Sequence, residues 1–399
     1  MNKIFLKKGR DEAVRRQHPW IFSGAVSHTI ADSGEVLSDG DLVEVYDSKK
    51  QFLAIGYYND GSIVVRILSF EPCVIDTDFW NKKLTNAFKY RQKLDLTDSE
   101  STNCYRFIHA EGDGLPGLIV DIYGSTAVVQ CHSIGMHRQI EHIQKGLQQV
   151  FGEKIKAIYD KSAETLPPQY IAQHQIKNDY LFGEAEVPMT VFENSNAFAV
   201  DWITGQKTGF FLDQRDNRAL LSRYAKGKSV LNAFCYSGGF SVYALKAGAS
   251  SVHSIDISPK AIDLTLKNVE INRPFVGEHT AAAVDVLAFL KENDRIYDVM
   301  IVDPPAFAKS INKRHNAVQA YKRLNAMALR QITEGGILFT FSCSQVVDTQ
   351  LFYDTIVAAA IEAGRHVRVM HRLTQPADHP VNIFHPEGSY LKGLVLYVE

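Results

Sequence analysis

Hydrophobic and polar positions alternate in short runs over the first seventy residues of the chain. The segments LVEVY, from position 42, and IVVRIL, from position 63, show the two-residue period of half-buried strands. Asp-Gly dipeptides at positions 39 and 60 stand between the runs and are turn signals. The pattern predicts a small β-barrel-like module over residues 1–72.

Residues 73–188 contain both helical spacing and the two-residue alternation of strands. The segment TDFWNKKLTNAFKYRQKLDL has helical spacing and predicts a connecting helix, and MHRQIEHIQKGLQQVF predicts a second helix over 136–151. Strand patterns surround that second helix: YRFIHAE, GLIVDIYG and TAVVQCHS before it, and IKAIYD and YLFGEAEV after it. The sequence GDGLPG at 112–117 predicts a hairpin turn, because Gly and Pro have an ordinary steric use there. This region is therefore predicted to be a central α+β domain.

Apolar strands alternate with helical patterns over residues 189–399. The strands are SVLNAF, SVHSID, HTAAAVDV, DVMIVD and ILFTFS, and one intervening helix has Ser258 as N-cap and Pro259 at its first position. This alternation is typical of a doubly wound parallel sheet in an α/β, Rossmann-like domain. The segments HVRVMHRLTQ and YLKGLVLYV predict a final hairpin that brings an antiparallel strand to the sheet edge.

Composition and charge narrow the function classes. The chain is 45% hydrophobic and 22% charged, and no window approaches the roughly 18 continuous apolar residues of a membrane helix. The N-terminal stretch lacks a signal peptide's apolar segment. The five cysteines are odd in number and never form C-x-x-C, which argues against a disulfide framework or a zinc site and for reduced thiols in the cytoplasm. No metal site and no membrane partner are predicted.

Two local stretches are strongly basic although the net charge is −2. The first sixteen residues carry six Lys/Arg against two acids, and residues 308–330 carry six Lys/Arg and no acid. A solvated basic helix is the alternative for the second stretch, but its one-sided charge favours contacts with nucleic-acid phosphates. Phe307 and Tyr321, in the same region, are assigned equally to packing against a nucleotide base and to the core.

The candidate cofactor site lies at the carboxyl ends of the predicted parallel strands. Gly238-Gly239 allows a tight turn close to a ligand, but the pattern is not G-x-G-x-x-G, which disfavours a nicotinamide oxidoreductase. Asp256 ends the second strand, where an acid can accept both ribose hydroxyls, and Asp285 ends the third, facing an adenine amine. Taken singly, each acid is more often a helix cap or strand-end residue.

Several motifs resemble known families. NAFCYSGGF, SIDIS, the Asp-Val pair at 285–286 and DPPAF look like successive motifs of class I S-adenosylmethionine (SAM)-dependent methyltransferases. HPWIFSGAV, KTGFFLDQRDNR, FSCS and PEGSYLKG resemble, in the same order, the ribosomal large-subunit RNA cytosine-C5 methyltransferase family. That family joins an N-terminal PUA domain, a central domain and a C-terminal catalytic domain, which corresponds here to 1–72, 73–188 and 189–399.

The resemblance implies methylation of cytosine C5 in large-subunit (23S) ribosomal RNA, with SAM as the methyl donor. It also implies cofactor contacts from residues on the first four strand ends and on the KTGFFLDQRDNR segment: Phe211, Asp213, Arg215, Asn232, Phe234, Tyr236, Ser237, Gly238, Asp256, Ile257, Asp285, Val286, Asp303 and Pro304. The expected partner is ribosomal RNA, and a homodimer is left open.

Cytosine chemistry gives Cys343 a role. C5 of cytosine is a weak nucleophile until a thiolate adds to C6, so the reaction needs a cysteine beside the methyl donor. The fourth and fifth strands are predicted neighbours, which places Cys343 next to Asp303, and Asp303 can hydrogen-bond the base near N3. A buried structural thiol and a strand-end acid are the alternatives. Ala306 stands where another branch of cytosine-C5 enzymes has a second cysteine, and Cys235 is interpreted as packing.

Two other functions stay open at this level. The chain could methylate a guanine nitrogen in ribosomal RNA, a reaction that needs no thiol. It could also be an RNA-binding assembly factor with a vestigial cofactor pocket. Methyl transfer retained by a Cys343→Ala variant would favour the guanine reaction over the cytosine reaction. A binding titration with SAM tests whether the cofactor pocket is vestigial. The group that activates the thiol is not identifiable from the sequence.

Overall fold

The computed structural model describes residues 1–32, 34, 36–308 and 310–399, and these residues form two compact units. Unit 1 comprises Met1–Val191, Val200–Phe210 and Ala377–Gly388, and unit 2 comprises Phe192–Ala199, Phe211–Pro376 and Ser389–Glu399. No helix in these described ranges has the length and apolar character needed to cross a membrane.

Unit 1 begins with a six-stranded sheet in the order β2-β6-β5-β4-β1-β3. Its elements are β1 (Asn2–Leu6), α1 (Glu12–Arg15), β2 (Trp20–Phe22), β3 (Val26–Ile30), β4 (Leu42–Tyr46), β5 (Phe52–Tyr58) and β6 (Ile63–Ser69). The alternating segments of the sequence are β4 and β6, as predicted. Their inward residues, Val43, Val45 and Val65 among them, form a separate core.

The second sheet of unit 1 has five strands in the order β11-β10-β9-β8-β7. Its elements are α2 (Thr77–Lys93), β7 (Cys104–His109), β8 (Leu118–Tyr123), β9 (Thr126–Cys131), α3 (Ile134–His137), α4 (Ile140–Phe151), β10 (Ala157–Asp160), α5 (Pro168–His174) and β11 (Asp179–Phe182). β7 and β8 are antiparallel, so GDGLPG does connect a hairpin.

The helix predicted over 136–151 is two helices, α3 and α4. The short α3 presses Gly135 against the Tyr57 ring, so closely that a Cβ there would lie 2.3 Å from the ring. α4 instead buries Ile143 and Leu147 in the core that it shares with α2. Arg138 and Gln139 separate the two helices, a break that helical periodicity alone does not reveal.

A separate two-stranded sheet pairs β12 (Met189–Glu193) with β13 (Asn196–Val200). Unit 2 then contains β14 (Ser229–Ala233), β15 (Ser251–Asp256), β16 (Glu278–Ala283), β17 (Tyr297–Val302), β18 (Ile332–Ser342), β19 (Val367–Leu373) and β20 (Lys392–Val398). Its helices are α6 (Arg215–Leu221), α7 (Gly239–Lys246), α8 (Pro259–Glu270), α9 (Val286–Glu292), α10 (Arg314–Arg330) and α11 (Thr349–Ala363).

The sheet of unit 2 has the order β16-β15-β14-β17-β18-β20-β19. β14 to β18 run parallel, which confirms the doubly wound α/β prediction. The antiparallel strand, β20, lies between β18 and β19, one place in from the edge where it was predicted. The reason is hydrophobicity: β20 is buried along almost its whole length, whereas most side chains of the edge strand β19 are at least partly exposed.

Candidate active site

The loop after β14 has a strained backbone that its neighbours hold in place. Phe234 and Tyr236 have positive φ angles of 61° and 46°, which are unfavourable for residues with side chains. Gly238 has φ 73°, and a Cβ there would lie 2.7 Å from Cγ2 of Thr265. The Thr265 hydroxyl donates to the Tyr236 carbonyl at 2.9 Å. Gly238 is therefore required by the close packing of the loop against Thr265 of α8, and the loop leads directly into the start of α7.

Asp256 ends β15 beside this loop. Its carboxylate accepts hydrogen bonds from the backbone N–H of Tyr236 at 3.1 Å and of Ser258 at 2.9 Å. The acid thus fixes the glycine loop from the neighbouring strand, at the sheet edge where a ribose would lie. Ile257, the next residue, is 69% exposed and offers an apolar surface. The glycine cradle and the acid together fit an adenosyl group.

Asp285 is the N-cap of α9, where its side chain accepts from the Ala288 N–H at 2.8 Å. Asp285 therefore caps a helix, which is one of its two interpretations from the sequence, and its contact with adenine stays a prediction. Val286 is only 2% exposed and packs in the core.

Asn232 and Ser237 support the loop from inside the protein. The Asn232 amide donates to the Ser241 hydroxyl at 2.8 Å and is buried. The Ser237 carbonyl accepts from the Asn268 amide, also at 2.8 Å. These contacts explain why polar residues occupy buried positions here, while their contact with a cofactor stays a prediction.

A buried ion pair holds the segment that begins at Phe211. The Arg218 guanidinium donates to both Glu193 carboxylate oxygens, at 2.8 and 2.6 Å, and to the Phe211 carbonyl at 3.0 Å. Tyr243 donates to the same carboxylate at 2.9 Å. The Phe211 ring in turn meets the Tyr236 ring edge-on, with centroids 4.9 Å apart. The ion pair therefore positions one wall of the glycine loop.

We expect Glu193→Ala to destabilise the protein by about 3–5 kcal/mol, because it leaves a buried guanidinium without its counter-charge. Arg218 is 3% exposed and Glu193 is fully buried. Chemical denaturation measures the loss, with the exposed Glu292→Ala as the matched control. A loss no larger than that of the control would contradict the role given to the pair.

The segment after Phe211 also reaches the strand ends. Asp213 is buried and accepts from the Tyr390 hydroxyl at 2.6 Å, and Arg215 is 6% exposed. Gln214 donates from its amide to Asp303 Oδ2 at 2.9 Å. The sequence analysis missed Gln214 and Tyr390 as functional residues. Both lie in motifs that it quoted, KTGFFLDQRDNR and PEGSYLKG, so membership of a motif was the available signal.

Cys343 and Asp303 follow neighbouring strands. β17 and β18 are parallel partners, with Val302 opposite Thr340, and Asp303 comes directly after β17. The Ser344 hydroxyl donates to the Ala308 carbonyl at 2.6 Å, which ties the loop after β18 to the loop after β17. The strand ends that carry the cysteine and the aspartate are therefore adjacent.

The Cys343 side chain is partly exposed, although both flanking serines are fully buried. Cys235 differs: it is 6% exposed, and burial raises the pKa of its thiol to about 12. None of the cysteines, all within the described ranges, forms a disulfide. Cys343 is therefore accessible to a substrate, whereas Cys235 in the glycine loop is buried.

Lys392 is a further residue of this site that the sequence analysis missed. It starts β20 opposite Ser342, is 6% exposed, and donates from Nζ to the Ser344 carbonyl at 2.8 Å. Burial lowers the pKa of Lys392, while the nearby Cys343 and Asp348 act in the opposite direction. The ammonium group thus lies where its charge acts on the Cys343 sulfur. Only the insertion of β20 beside β18 brings it there.

Tyr321 belongs to the core rather than to a base-binding surface. It is fully buried on α10, with the Phe307 ring 4.7 Å from its own. Burial raises the pKa of Tyr321 to about 12, and Cys343 and Asp303 are close enough to act on it. Phe307 is partly buried against the same core.

The basic stretch 308–330 is less one-sided in the fold than in the sequence. Lys322 pairs with Glu362 of α11 at 2.9 Å, and Arg330 also approaches Glu362, at 3.8 Å. Lys313, Arg314 and Arg323 are exposed, whereas Lys309 lies outside the described residues. The candidate phosphate contacts are therefore Lys313 and Arg314 at the start of α10 and Arg323 in its middle.

Comparison with protein families identifies two regions. Residues 4–70 match a PUA-like domain, and residues 118–394 match the S-adenosylmethionine-dependent methyltransferase family. The second match covers more than half of the chain and includes every predicted cofactor contact. SAM is accordingly the cofactor.

Full-length relatives support the assignment. A protein from Photobacterium profundum named Ribosomal RNA large subunit methyltransferase I is 39% identical over 99% of both chains. A protein of the same name from Escherichia coli is 37% identical over 99% of both chains.

Among solved structures, a protein from Streptococcus mutans assigned as a SAM-dependent methyltransferase matches the whole chain with a TM-score of 0.84 at 22% identity. A methyltransferase structure complexed with SAH matches equally well, which shows the shared fold. The strained glycine loop, the acid after β15 and these matches lead to one conclusion: the chain belongs to the S-adenosylmethionine-dependent methyltransferases that carry an N-terminal PUA-like domain.

Proposed function

We propose that this protein transfers a methyl group from SAM to C5 of a cytosine in large-subunit ribosomal RNA, through a covalent adduct with Cys343. The observation that carries the proposal is the position of a partly exposed thiol beside Asp303 and Lys392 at the end of β18. The names of the full-length relatives support ribosomal RNA as the substrate.

The chain's residues divide the chemistry between them. The Cys343 thiolate adds to C6 of the cytosine, forming an S–C6 bond and making C5 nucleophilic. SAM, when bound, would supply the methyl group: C5 would form the new carbon–carbon bond as the sulfonium–methyl bond breaks, with S-adenosylhomocysteine as the leaving group. A base then removes the C5 proton, the C5=C6 double bond re-forms and the thiolate leaves. Asp303, held by Gln214, is assigned to hydrogen-bond the cytosine near N3 and to stabilise the adduct.

Lys392 is proposed to favour the thiolate. A thiol with its ordinary pKa, about 8.5, is mostly protonated at neutral pH, and an adjacent ammonium group lowers that pKa. Tyr321 is close enough for Cys343 to act on it, but it is buried and its raised pKa keeps it neutral. The positive charge near the sulfur therefore comes from β20 in this proposal.

We expect Lys392→Met to move the acidic limb of the pH–rate profile to higher pH by about one unit or more, because the thiol loses its neighbouring cation. Activity lost at neutral pH should be partly recovered at pH 9, and Lys392→Arg should restore part of it at neutral pH. The exposed Lys226→Met is the control. A uniform loss at all pH values would mean that Lys392 has only a structural role.

Three domains are proposed: 1–72, a PUA-like RNA-binding domain; 73–188, a central α+β domain; and 189–399, the methyltransferase domain. The PUA-like match at 4–70 supports the first. The first two sheets share one compact unit, so the boundary at 72 divides two sheets of that unit. The exposed residues Lys313, Arg314 and Arg323 are assigned to RNA phosphates, since each such contact adds salt-dependent affinity.

The decisive experiment compares ribosomal RNA from cells with and without this protein. Loss of one 5-methylcytidine from large-subunit RNA, restored by the intact gene but not by a Cys343→Ala copy, is the expected result. Loss of a methylated guanine instead would support the alternative reaction. An unchanged methylation pattern would favour an assembly role.

A further inference from the structure

Three potential metal ligands meet in unit 1. His18 stands two residues before β2, and His385 and Glu387 lie in the stretch Ala377–Gly388 of the same unit. One ligand atom from each residue lies within 4.8 Å of the other two. His18 Nε2 is 3.6 Å from one Glu387 oxygen, and His385 Nε2 is 3.9 Å from the other.

His385 gives an independent sign of a missing ligand. The residue is 3% exposed, and within the described part of the chain neither of its ring nitrogens has a hydrogen-bond partner. Buried polar groups almost always have such partners, so two unsatisfied nitrogens on one ring require an explanation. The ring position is well defined, because the backbone N–H donates to the Asn382 carbonyl at 2.8 Å and the Trp20 ring packs 4.3 Å away.

The surroundings of His18 suit metal binding. Its Nδ1 lies 3.2 Å from the Trp20 carbonyl oxygen, to which it donates when protonated, and 3.2 Å from the Trp20 backbone nitrogen, from which it accepts when it is not. Metal binding at Nε2 would select the tautomer with the proton on Nδ1. That tautomer leaves the Nε2 lone pair facing Glu387, which is the arrangement that orients histidine ligands in metalloproteins. Arg66 and Glu111 also lie close enough to act electrostatically on His385, and they pair with each other at 3.5 Å.

The spacing of the ligand atoms fits a small transition-metal ion. Tetrahedral zinc with bonds of about 2.0–2.1 Å has ligand atoms roughly 3.3–3.4 Å apart. The observed separations of 3.6 and 3.9 Å run to different Glu387 oxygens, and the three ligand atoms lie within 4.8 Å of one another, so the side chains would have to move closer together when the metal binds. Two imidazoles and one carboxylate are ligands that zinc accepts, with water completing the set.

We propose that His18, His385 and Glu387 bind a divalent transition-metal ion, with zinc as the ion of choice. The site joins the chain just before β2 to the stretch Ala377–Gly388, which are far apart in sequence. It uses no cysteine, so the cysteine pattern of the sequence gave no indication of it.

The test uses the untagged full-length protein, freed of metal with a chelator, and zinc itself as the probe. Titration against a chromophoric zinc chelator should give one site per chain. His385→Asn and Glu387→Gln should each weaken that site by at least about 10-fold. Glu387 is 53% exposed, so its variant has little reason to misfold. The control is His28→Gln, because His28 is an exposed histidine on β3 of unit 1. This variant should bind zinc like the unaltered protein.

Thermal unfolding gives the second measurement. Zinc should raise the unfolding temperature of the unaltered protein and of His28→Gln, but not that of Glu387→Gln, because only a bound metal couples to folding. If Glu387→Gln and His385→Asn bound zinc as tightly as the unaltered protein does, the proposal would be overturned. The absence of stoichiometric binding in the unaltered protein would also overturn it, and would leave the cluster as an ion pair.

Discussion

Cys343→Ala is expected to reduce methyl transfer to ribosomal RNA by at least about 1,000-fold, the scale on which removal of a covalent nucleophile acts. Without the sulfur, C6 has no partner and C5 stays too weak a nucleophile for the reaction. Cys343 is not among the residues predicted to contact the cofactor, so SAM affinity should be unchanged. Methyl incorporation into RNA under single-turnover conditions and calorimetric titration with SAM measure the two quantities.

Cys73→Ala is the matched control, because Cys73 is also partly exposed but lies in unit 1. A second experiment tests the adduct itself. RNA with 5-fluorocytidine at the target position should form a stable protein–RNA complex, since fluorine at C5 cannot be removed as the proton is. That complex should be absent with Cys343→Ala. Full activity of the alanine variant would remove the covalent mechanism and favour direct attack by a guanine nitrogen.

Asp256→Ala is expected to weaken SAM binding by about 100-fold or more, because each hydrogen bond from a ribose hydroxyl to a carboxylate contributes roughly 1.5–3 kcal/mol. The substitution also removes the acceptor for the Tyr236 and Ser258 N–H groups, which loosens the glycine loop. Calorimetric titration with SAM measures the affinity. Asp256→Asn keeps an acceptor oxygen and should show an intermediate loss.

The exposed Asp263→Ala on α8 is the control for this substitution. Thermal unfolding of each variant distinguishes a lost ligand contact from a lost fold. If Asp256→Ala bound SAM as tightly as Asp263→Ala, the ribose assignment would be wrong and the acid would serve the loop alone.

Much of the fold could be predicted from local patterns. The parallel strands of unit 2 are short apolar runs between amphipathic helices, and Ser258 caps α8 as its sequence indicates, accepting from the Ala261 N–H at 3.4 Å. The close approach of Gly135 in α3 to the Tyr57 ring was not predictable, because Tyr57 is distant in sequence. The pairing of Lys322 and Arg330 with Glu362 was not predictable for the same reason, because Glu362 lies on a different helix.

The sequence by itself determined the family, the parallel sheet and the short list of chemically suited residues, because period, capping and motif are properties of neighbouring positions. Only the tertiary structure decided that β20 enters beside β18 and brings Lys392 to the Cys343 loop. It alone brought His18 to His385 and left the His385 nitrogens without hydrogen-bond partners in the described structure. These arrangements join residues far apart in the chain, and the burial of apolar strands and loops, rather than any local preference, sets them.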